Sequence, residues 1–88
     1  MVSAGAKVIN PQGLHMRPAQ VFVSAMKEMD CSVRVLFNGK SIDAKSILSL
    51  MAACIKQGSE IEIQCSGPQE KEALQKALEL LASGLGDM

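Results

Sequence analysis

Aromatic residues are nearly absent from this chain, which contains no tryptophan, no tyrosine and only two phenylalanines among 88 residues. The core must therefore be built from aliphatic side chains, alanine and methionine, with few packed aromatic rings. An excess of charge is missing as well, because nine acidic residues balance nine basic residues. A surface that carries no excess of positive charge argues against nucleic acid and anionic membranes as the main partners.

Long apolar runs and cysteine motifs are also missing. No run approaches the roughly 18 residues of a membrane helix, so membrane insertion is not predicted. Residues 1–10 contain no basic stretch followed by an apolar run, which argues against a signal peptide and predicts a cytoplasmic protein. Three cysteines without the spacing of a metal site or redox motif predict three buried free thiols in a reducing compartment: Cys31, Cys54 and Cys65.

Hydrophobic periodicity predicts seven elements in the order β-α-β-β-α-β-α, within one domain of residues 1–88. Three strands alternate apolar and polar residues, which is typical of an antiparallel sheet covered by helices on one side. Periodicity does not determine the strand order. The predicted strands are residues 2–9, 31–37, 40–43 and 60–65. The first predicted helix begins near Met16, the second spans residues 46–56 and the third spans residues 69–83.

Apolar stripes predict the buried faces of the first two helices. The stripe of the first helix consists of Pro18, Val21, Phe22, Ala25 and Met29. The stripe of the second consists of Ile47, Leu50, Met51 and Cys54, and Gln57-Gly58 is the predicted C-terminal cap.

The only histidine, His15, follows a turn-forming segment at residues 10–13 and precedes the first helix. A helix N-terminus disfavours a positive charge, which keeps the imidazole neutral and nucleophilic, and it attracts a phosphate once one is attached. Arg17 would add a charge-assisted hydrogen bond to the phosphate. Gly13 would let the loop approach closely, because it has no side chain in the way. Spacing alone favours the simpler alternative, an exposed histidine that takes part in no reaction.

Other catalytic arrangements have no support in the sequence. No cysteine or serine is an evident partner for His15, and no glycine-rich nucleotide loop is present. The carboxylates fit solvated faces, so no metal and no cofactor is predicted.

Two further features lie at the start of the second predicted helix. Ser46 is a suitable N-cap, and this structural role, which spacing favours, is compatible with phosphorylation at the helix end. If the two helix starts adjoin, they form an apolar patch beside His15 that consists of Met16, Ile47, Leu48 and Met51 and is surrounded by Arg17, Lys27 and Lys45. Such a patch suits docking to acidic partners. The alternative is ordinary core, which fits Ile47 and Met51 but not Leu48.

Residues 13–18, Gly-Leu-His-Met-Arg-Pro, resemble the active-site motif of the HPr family, the histidine-containing phosphocarriers of the bacterial sugar phosphotransferase system. The resemblance continues through Asn-Gly-Lys at 38–40, Ala-Lys-Ser-Ile at 44–47 and Lys-Gln-Gly at 56–58, and covers essentially the whole chain. It implies an α+β open-faced β-sandwich. Its four-stranded antiparallel sheet would have the order 1-4-2-3 and be covered on one face by three helices.

The resemblance also implies a function. His15 would accept a phosphoryl group at Nδ1 from phosphorylated Enzyme I and pass it to a sugar-specific IIA domain, with Met16, Arg17 and Pro18 at the phosphate. Such a protein is a carrier, the substrate of other enzymes, and not a turnover enzyme. A monomer is the default expectation, because the docking patch must stay available to donor and acceptor.

Ser46 aligns with the serine that HPr kinase/phosphorylase modifies in Gram-positive-type bacteria. In that form HPr-like proteins act as corepressors of a catabolite-control transcription regulator, so the alternative function is a binding module that acts mainly through phosphorylated Ser46. The related catabolite-repression HPr lacks the active histidine, and His15 argues against that paralogue. Departures from the family pattern lie on the docking face and affect partner choice more than chemistry: Met16, Gln20 and Ser49.

Overall fold

The computed structural model describes residues 1–85, and its elements follow the predicted β-α-β-β-α-β-α order. The strands are β1 (Val2–Lys7), β2 (Ser32–Phe37), β3 (Lys40–Asp43) and β4 (Glu60–Ser66). The helices are α1 (Met16–Lys27), α2 (Ile47–Ala52) and α3 (Glu70–Ala82).

The four strands form one antiparallel sheet in the order β1-β4-β2-β3, which confirms the implied topology. Strand β4 lies between β1 and β2, so that Ile63 pairs with Ala4 on one side and with Val35 on the other. The turn between β2 and β3 consists of Asn38 and Gly39, whose φ values of 51° and 77° are those a two-residue hairpin requires.

The three helices bury the apolar face of the sheet. Helix α3 packs on β1, β2 and β4, whereas α2 packs beside β3, and α1 contacts the other two helices. The largest core side chains are aliphatic apart from one ring, and they include Phe22, Met26, Leu50, Ile63 and Leu81. Within residues 1–85, no helix is long and apolar enough to cross a membrane.

The buried face of α1 differs from the predicted stripe. Val21 is 38% exposed, whereas Ala19, Val23 and Met26 are buried. Because α1 packs against both α2 and α3, its buried face is wider than a single stripe and is rotated away from Val21. The prediction for Val21 was therefore wrong.

Helix α2 is shorter than predicted. It ends at Ala52 with Ala53 as its C-cap, and Cys54 then adopts a left-handed conformation with φ of 54°. Gly58 lies beyond the helix and donates from its N–H to the carbonyl oxygen of Val8 over 2.8 Å, so the predicted Gln57-Gly58 cap was wrong.

The early end of α2 also changes the environment of its cysteine. Cys54 is exposed and Ile55, which follows it, is buried in the core. Cys31 is half-buried and only Cys65 is fully buried, although all three thiols are free. The prediction of three buried thiols was therefore correct for Cys65 alone.

Candidate functional site

His15 lies at the junction between a loop and a helix. It is the N-cap of α1, with extended backbone angles of φ −80° and ψ −170°, and its carbonyl oxygen accepts a 3.0 Å hydrogen bond from the N–H of Ala19. Pro18 is buried in the first turn, where a missing N–H costs no helical hydrogen bond. The half-buried imidazole is thus attached to the positive end of a twelve-residue helix.

The loop before His15 is bound to the segment that follows α2. The N–H of Leu14 donates to the carbonyl oxygen of Ile55 over 2.9 Å. Gly13 has a φ of 68°, and a Cβ atom built on it would overlap the carbonyl oxygen of Ile55 and lie 2.7 Å from the Cα of Lys56. Only glycine allows this backbone contact, so Gly13 determines how closely the His15 loop approaches.

A cavity of about 250 Å³ opens beside the imidazole. His15 lines it together with residues of its own loop and residues of α2 and the segment that follows α2. These residues include Gln12, Leu14, Met51, Cys54 and Lys56. The structure therefore places Met51, from the predicted apolar patch, at the cavity that His15 lines. The packing of α1 beside α2 explains this arrangement.

The residues predicted to surround a phosphate differ in exposure. Met16 is 54% exposed and Arg17 is exposed, whereas Pro18 is buried. Met16 and Arg17 occupy the first two positions of α1, directly after His15. Their side chains are accessible at the same helix end as the imidazole.

The predicted docking residues lie on α1 and α2, except Lys45, which precedes the N-cap of α2. Leu48 is 82% exposed, as its place outside the core stripe predicts, and Ile47 and Met51 are half-buried. On α1, Gln20 and Lys27 are exposed. These side chains leave an accessible, partly apolar surface on the two helices.

Lys45 has a more specific environment than predicted. Its half-buried ammonium group donates to the carbonyl oxygen of Met29 over 2.8 Å, close to the end of α1. This hydrogen bond ties Lys45 to the connection between α1 and β2. Of the three basic residues predicted to surround the apolar patch, Arg17 and Lys27 are exposed.

Ser46 caps α2. Its Oγ accepts a 3.2 Å hydrogen bond from the N–H of Ser49, and its own N–H donates to the carbonyl oxygen of Asp43 over 3.1 Å. The predicted N-cap is therefore confirmed. The half-buried side chain lies next to Ile47 and Leu48, so any charge at Ser46 would stand beside the apolar surface.

Sequence reasoning missed five residues of the cavity: Gln12, Leu14, Cys54, Ile55 and Lys56. Cys54 and Lys56 were assigned to the end of an extended second helix. Glycine or asparagine normally marks the left-handed residue after a helix, so the cysteine at position 54 provided no signal that the chain leaves the helix there.

Comparisons with known proteins match nearly the whole chain. The family model described as PTS HPr component phosphorylation site matches residues 2–83. Phosphocarrier protein HPr of Chlamydia muridarum is 31% identical over 87 residues, which cover 99% of this chain and 84% of that protein.

Solved structures are similar over the same length. HPr-C-His from Thermoanaerobacter tengcongensis is 30% identical with a TM-score of 0.96, covering 100% of this chain and 99% of that chain. Crh, the Bacillus subtilis catabolite repression protein described as a dimer with a swapping domain, is 32% identical with a TM-score of 0.76, covering 96% of this chain and 97% of that chain. Because the family model and these relatives span nearly the whole chain, this protein belongs to the HPr family of phosphotransferase-system phosphocarriers.

Proposed function

We propose that this protein accepts a phosphoryl group on His15 from phosphorylated Enzyme I and passes it to a sugar-specific IIA domain during sugar uptake. The main support is the position of His15 as the N-cap of α1, beside an open cavity. Membership in the HPr family supports the same partners. The protein is a carrier that other enzymes use as a substrate, and we expect it in the cytoplasm.

The transfer is a substitution at phosphorus. The lone pair of neutral Nδ1 attacks the phosphorus atom, the bond between phosphorus and the donor breaks, and its electron pair goes to the donor. The new phosphohistidine keeps its proton on Nε2. Transfer to the IIA domain reverses these roles, because the imidazole is then the leaving group.

Two groups of this chain stabilise the added negative charge. The N-terminus of a helix contributes about 0.3–1 kcal/mol to a nearby anion, whereas a hydrogen bond involving a charged group contributes about 1.5–3 kcal/mol. We therefore expect the guanidinium group of Arg17 to contribute more than the backbone of α1, to which Met16 and Pro18 belong. Arg17 is exposed and directly follows Met16, so its side chain can reach a phosphate on the same helix end.

Donor and acceptor dock in turn on one surface of α1 and α2. We assign to it the apolar side chains Met16, Ile47, Leu48 and Met51, together with Gln20, Lys27 and Lys45. Leu48 is 82% exposed and Met51 shares the cavity of His15, which supports an apolar contact next to the reacting atom. A carrier has to keep this surface available, so we expect a monomer.

Phosphorylation by Enzyme I tests this function. The purified protein is incubated with Enzyme I and phosphoenolpyruvate, and incorporated phosphate is measured with and without acid treatment. We expect one acid-labile phosphate per chain and none in His15→Ala. A wild-type protein that takes up no phosphate would contradict the proposal.

Ser46 supports a second, regulatory function. A phosphate at this N-cap would keep α2 capped and place negative charge beside Ile47 and Leu48, the docking surface. HPr kinase/phosphorylase and a catabolite-control transcription regulator are the corresponding partners. The similarity to Crh, a catabolite repression protein, supports this second function.

Kinetics of Ser46→Asp test the regulation. Aspartate caps a helix as well as serine does, so we expect unchanged stability, a several-fold higher KM for Enzyme I and an unchanged kcat. Unchanged kinetics would contradict regulation through charge at Ser46. A cellular phenotype that survives His15→Ala but is lost in Ser46→Ala would instead favour a protein that acts mainly as a corepressor.

A further inference from the structure

We propose that Asn10 is a positioning residue for His15, because its buried side-chain amide anchors the loop that carries the histidine to the end of α3. The proposal rests on the function proposed for His15. Asn10 does not line the cavity and is not one of the predicted docking residues.

Asn10 has an unusual environment. It is fully buried, and it is the only buried polar residue of the part of the chain that the structure describes. Its Nδ2 donates to the carbonyl oxygen of Gly84 over 2.5 Å, although the two residues are 74 positions apart in the chain. Oδ1 is buried too and has no hydrogen-bond partner within residues 1–85.

This arrangement has a cost in stability. A buried polar atom without a partner is unfavourable, and an apolar side chain would fill the same space without that penalty. The benefit of Asn10 therefore lies in the bond from Nδ2. That bond fixes the β1–α1 loop to a distant part of the chain.

The anchor connects to His15 through three short steps. The carbonyl oxygen of Asn10 accepts a 2.9 Å hydrogen bond from the N–H of Gly13, which closes a turn. Gly13 packs on the backbone of Ile55, and Leu14 bonds to the same residue. His15 follows immediately, so the turn is held by Gly84 at one end and by Ile55 at the other.

The acceptor at Gly84 is itself well defined. The N–H of Gly84 donates to Leu81 over 3.2 Å, and the N–H of Leu85 donates to Leu80 over 3.0 Å. Leu85 is 1% exposed, so its side chain fixes this end of the helix in the core. The carbonyl oxygen that accepts the hydrogen bond from Nδ2 therefore lies in a hydrogen-bonded turn that is packed on the core.

Phosphoryl transfer depends on the direction from which the imidazole approaches phosphorus, and small displacements of a reacting group are costly. Without the bond to Gly84, the turn would be held by the contact with Ile55 and by the exposed hydrogen bond from Nε2 of Gln57 to the carbonyl oxygen of Ile9, and the ring would gain freedom. Docking uses other residues and should persist. Loss of the anchor therefore lowers kcat more than it changes KM.

The test compares Asn10→Ala with Ile42→Val, a core variant in β3 whose residue is 7% exposed and distant in the chain from the loop. Steady-state phosphorylation by Enzyme I is measured at a temperature where circular dichroism finds both variants folded. We expect Asn10→Ala to lose at least tenfold in kcat, with a KM within twofold of wild type. Ile42→Val should retain the wild-type kcat.

Proton NMR of the His15 ring supplies a readout that general destabilisation does not change. We expect the Cδ2 and Cε1 proton resonances to shift in Asn10→Ala and to remain unchanged in Ile42→Val. Asn10→Leu keeps the branched shape of the side chain but lacks the donor, and it replaces Asn10→Ala if that variant does not fold.

Two different failures are distinguishable in this experiment. If wild type is phosphorylated and His15→Ala is not, but the Asn10 variants keep wild-type kcat and ring resonances, the positioning role is overturned while the phosphocarrier function stands. If Asn10→Ala and Ile42→Val lose activity equally, the effect is only one of stability and the proposal is also overturned. If wild type takes up no phosphate, the proposed function itself fails.

Discussion

The backbone N–H of Leu14 donates a 2.9 Å hydrogen bond to the carbonyl oxygen of Ile55, and this bond joins the loop before His15 to the segment after α2. Through it, two parts of the chain that are 41 residues apart line one cavity, and His15 and Met51 both face this cavity. The candidate site therefore depends on packing between α1 and α2 as well as on its loop.

Replacement of Gly13 by alanine should disrupt this contact. A positive φ costs an L-residue about 1–2 kcal/mol, and the Cβ of Gly13→Ala would also lie 2.7 Å from the Cα of Lys56. Gly39 is the matched control, because its φ is 77° and a Cβ there meets nothing within 4 Å. In urea denaturation we expect the free energy of unfolding of Gly39→Ala to fall only by the cost of the positive φ. The free energy of unfolding of Gly13→Ala should fall by at least twice as much. Equal losses would contradict the close contact.

Arg17 should matter for transfer and not for folding. The residue is exposed, so we expect Arg17→Ala to change the free energy of unfolding by less than about 0.5 kcal/mol. We expect its transfer rate to fall about tenfold, equivalent to about 1.4 kcal/mol of transition-state stabilisation. Arg17→Lys keeps the charge but not the planar donor pair and should be intermediate. A large loss of stability in a circular dichroism melt would argue against a role at the site.

Leu48 and Leu50 separate docking from core packing. Leu48 is 82% exposed and Leu50 is fully buried, although they are two residues apart on α2. We expect Leu48→Ala to raise the KM for Enzyme I without loss of stability, and Leu50→Ala to lose about 2–5 kcal/mol of unfolding free energy. An unchanged KM in Leu48→Ala would exclude this residue from the docking surface.

Cys65 should make the stability sensitive to alkaline pH. Burial, with smaller contributions from the neighbouring Cys31 and Glu70, raises the pKa of the Cys65 thiol from 9.0 to about 11. Between these two pKa values the folded protein holds a proton that the unfolded chain releases. The contribution of the neutral Cys65 thiol to the free energy of unfolding is therefore complete below pH 9 and is lost as the pH rises through about 11. Two pKa units correspond to on the order of 2–3 kcal/mol.

Denaturation curves between pH 8 and pH 11 measure this effect. We expect the wild type to lose more stability over that range than Cys65→Ala, because the variant lacks the thiol. Cys31, whose pKa is also raised by burial, remains in both proteins but loses its hydrogen bond with Cys65 in the variant. Parallel curves for the two proteins would contradict the raised pKa of Cys65.

Local signals in the sequence predicted much of the fold and part of the site. These signals involve residues that are close in the chain, namely the alternating strand residues, the Asn38-Gly39 turn and the N-cap at Ser46. The order of the elements and the starts of α1 and α2 could therefore be predicted. The end of α2 could not, because Cys54 adopts an angle that its side chain does not favour. The bond from Asn10 to Gly84 spans 74 positions, and no local pattern encodes such a contact.

We propose that His15 carries the phosphoryl group, and the most direct test is to identify the phosphorylated atom. Phosphorus NMR of the protein after reaction with Enzyme I and phosphoenolpyruvate, with peptide mapping by mass spectrometry, makes this identification. We predict a single acid-labile phosphate on Nδ1 of His15 and its disappearance when a IIA domain is added. A phosphate found only on Ser46 or another residue, or one that a IIA domain does not remove, would contradict the account.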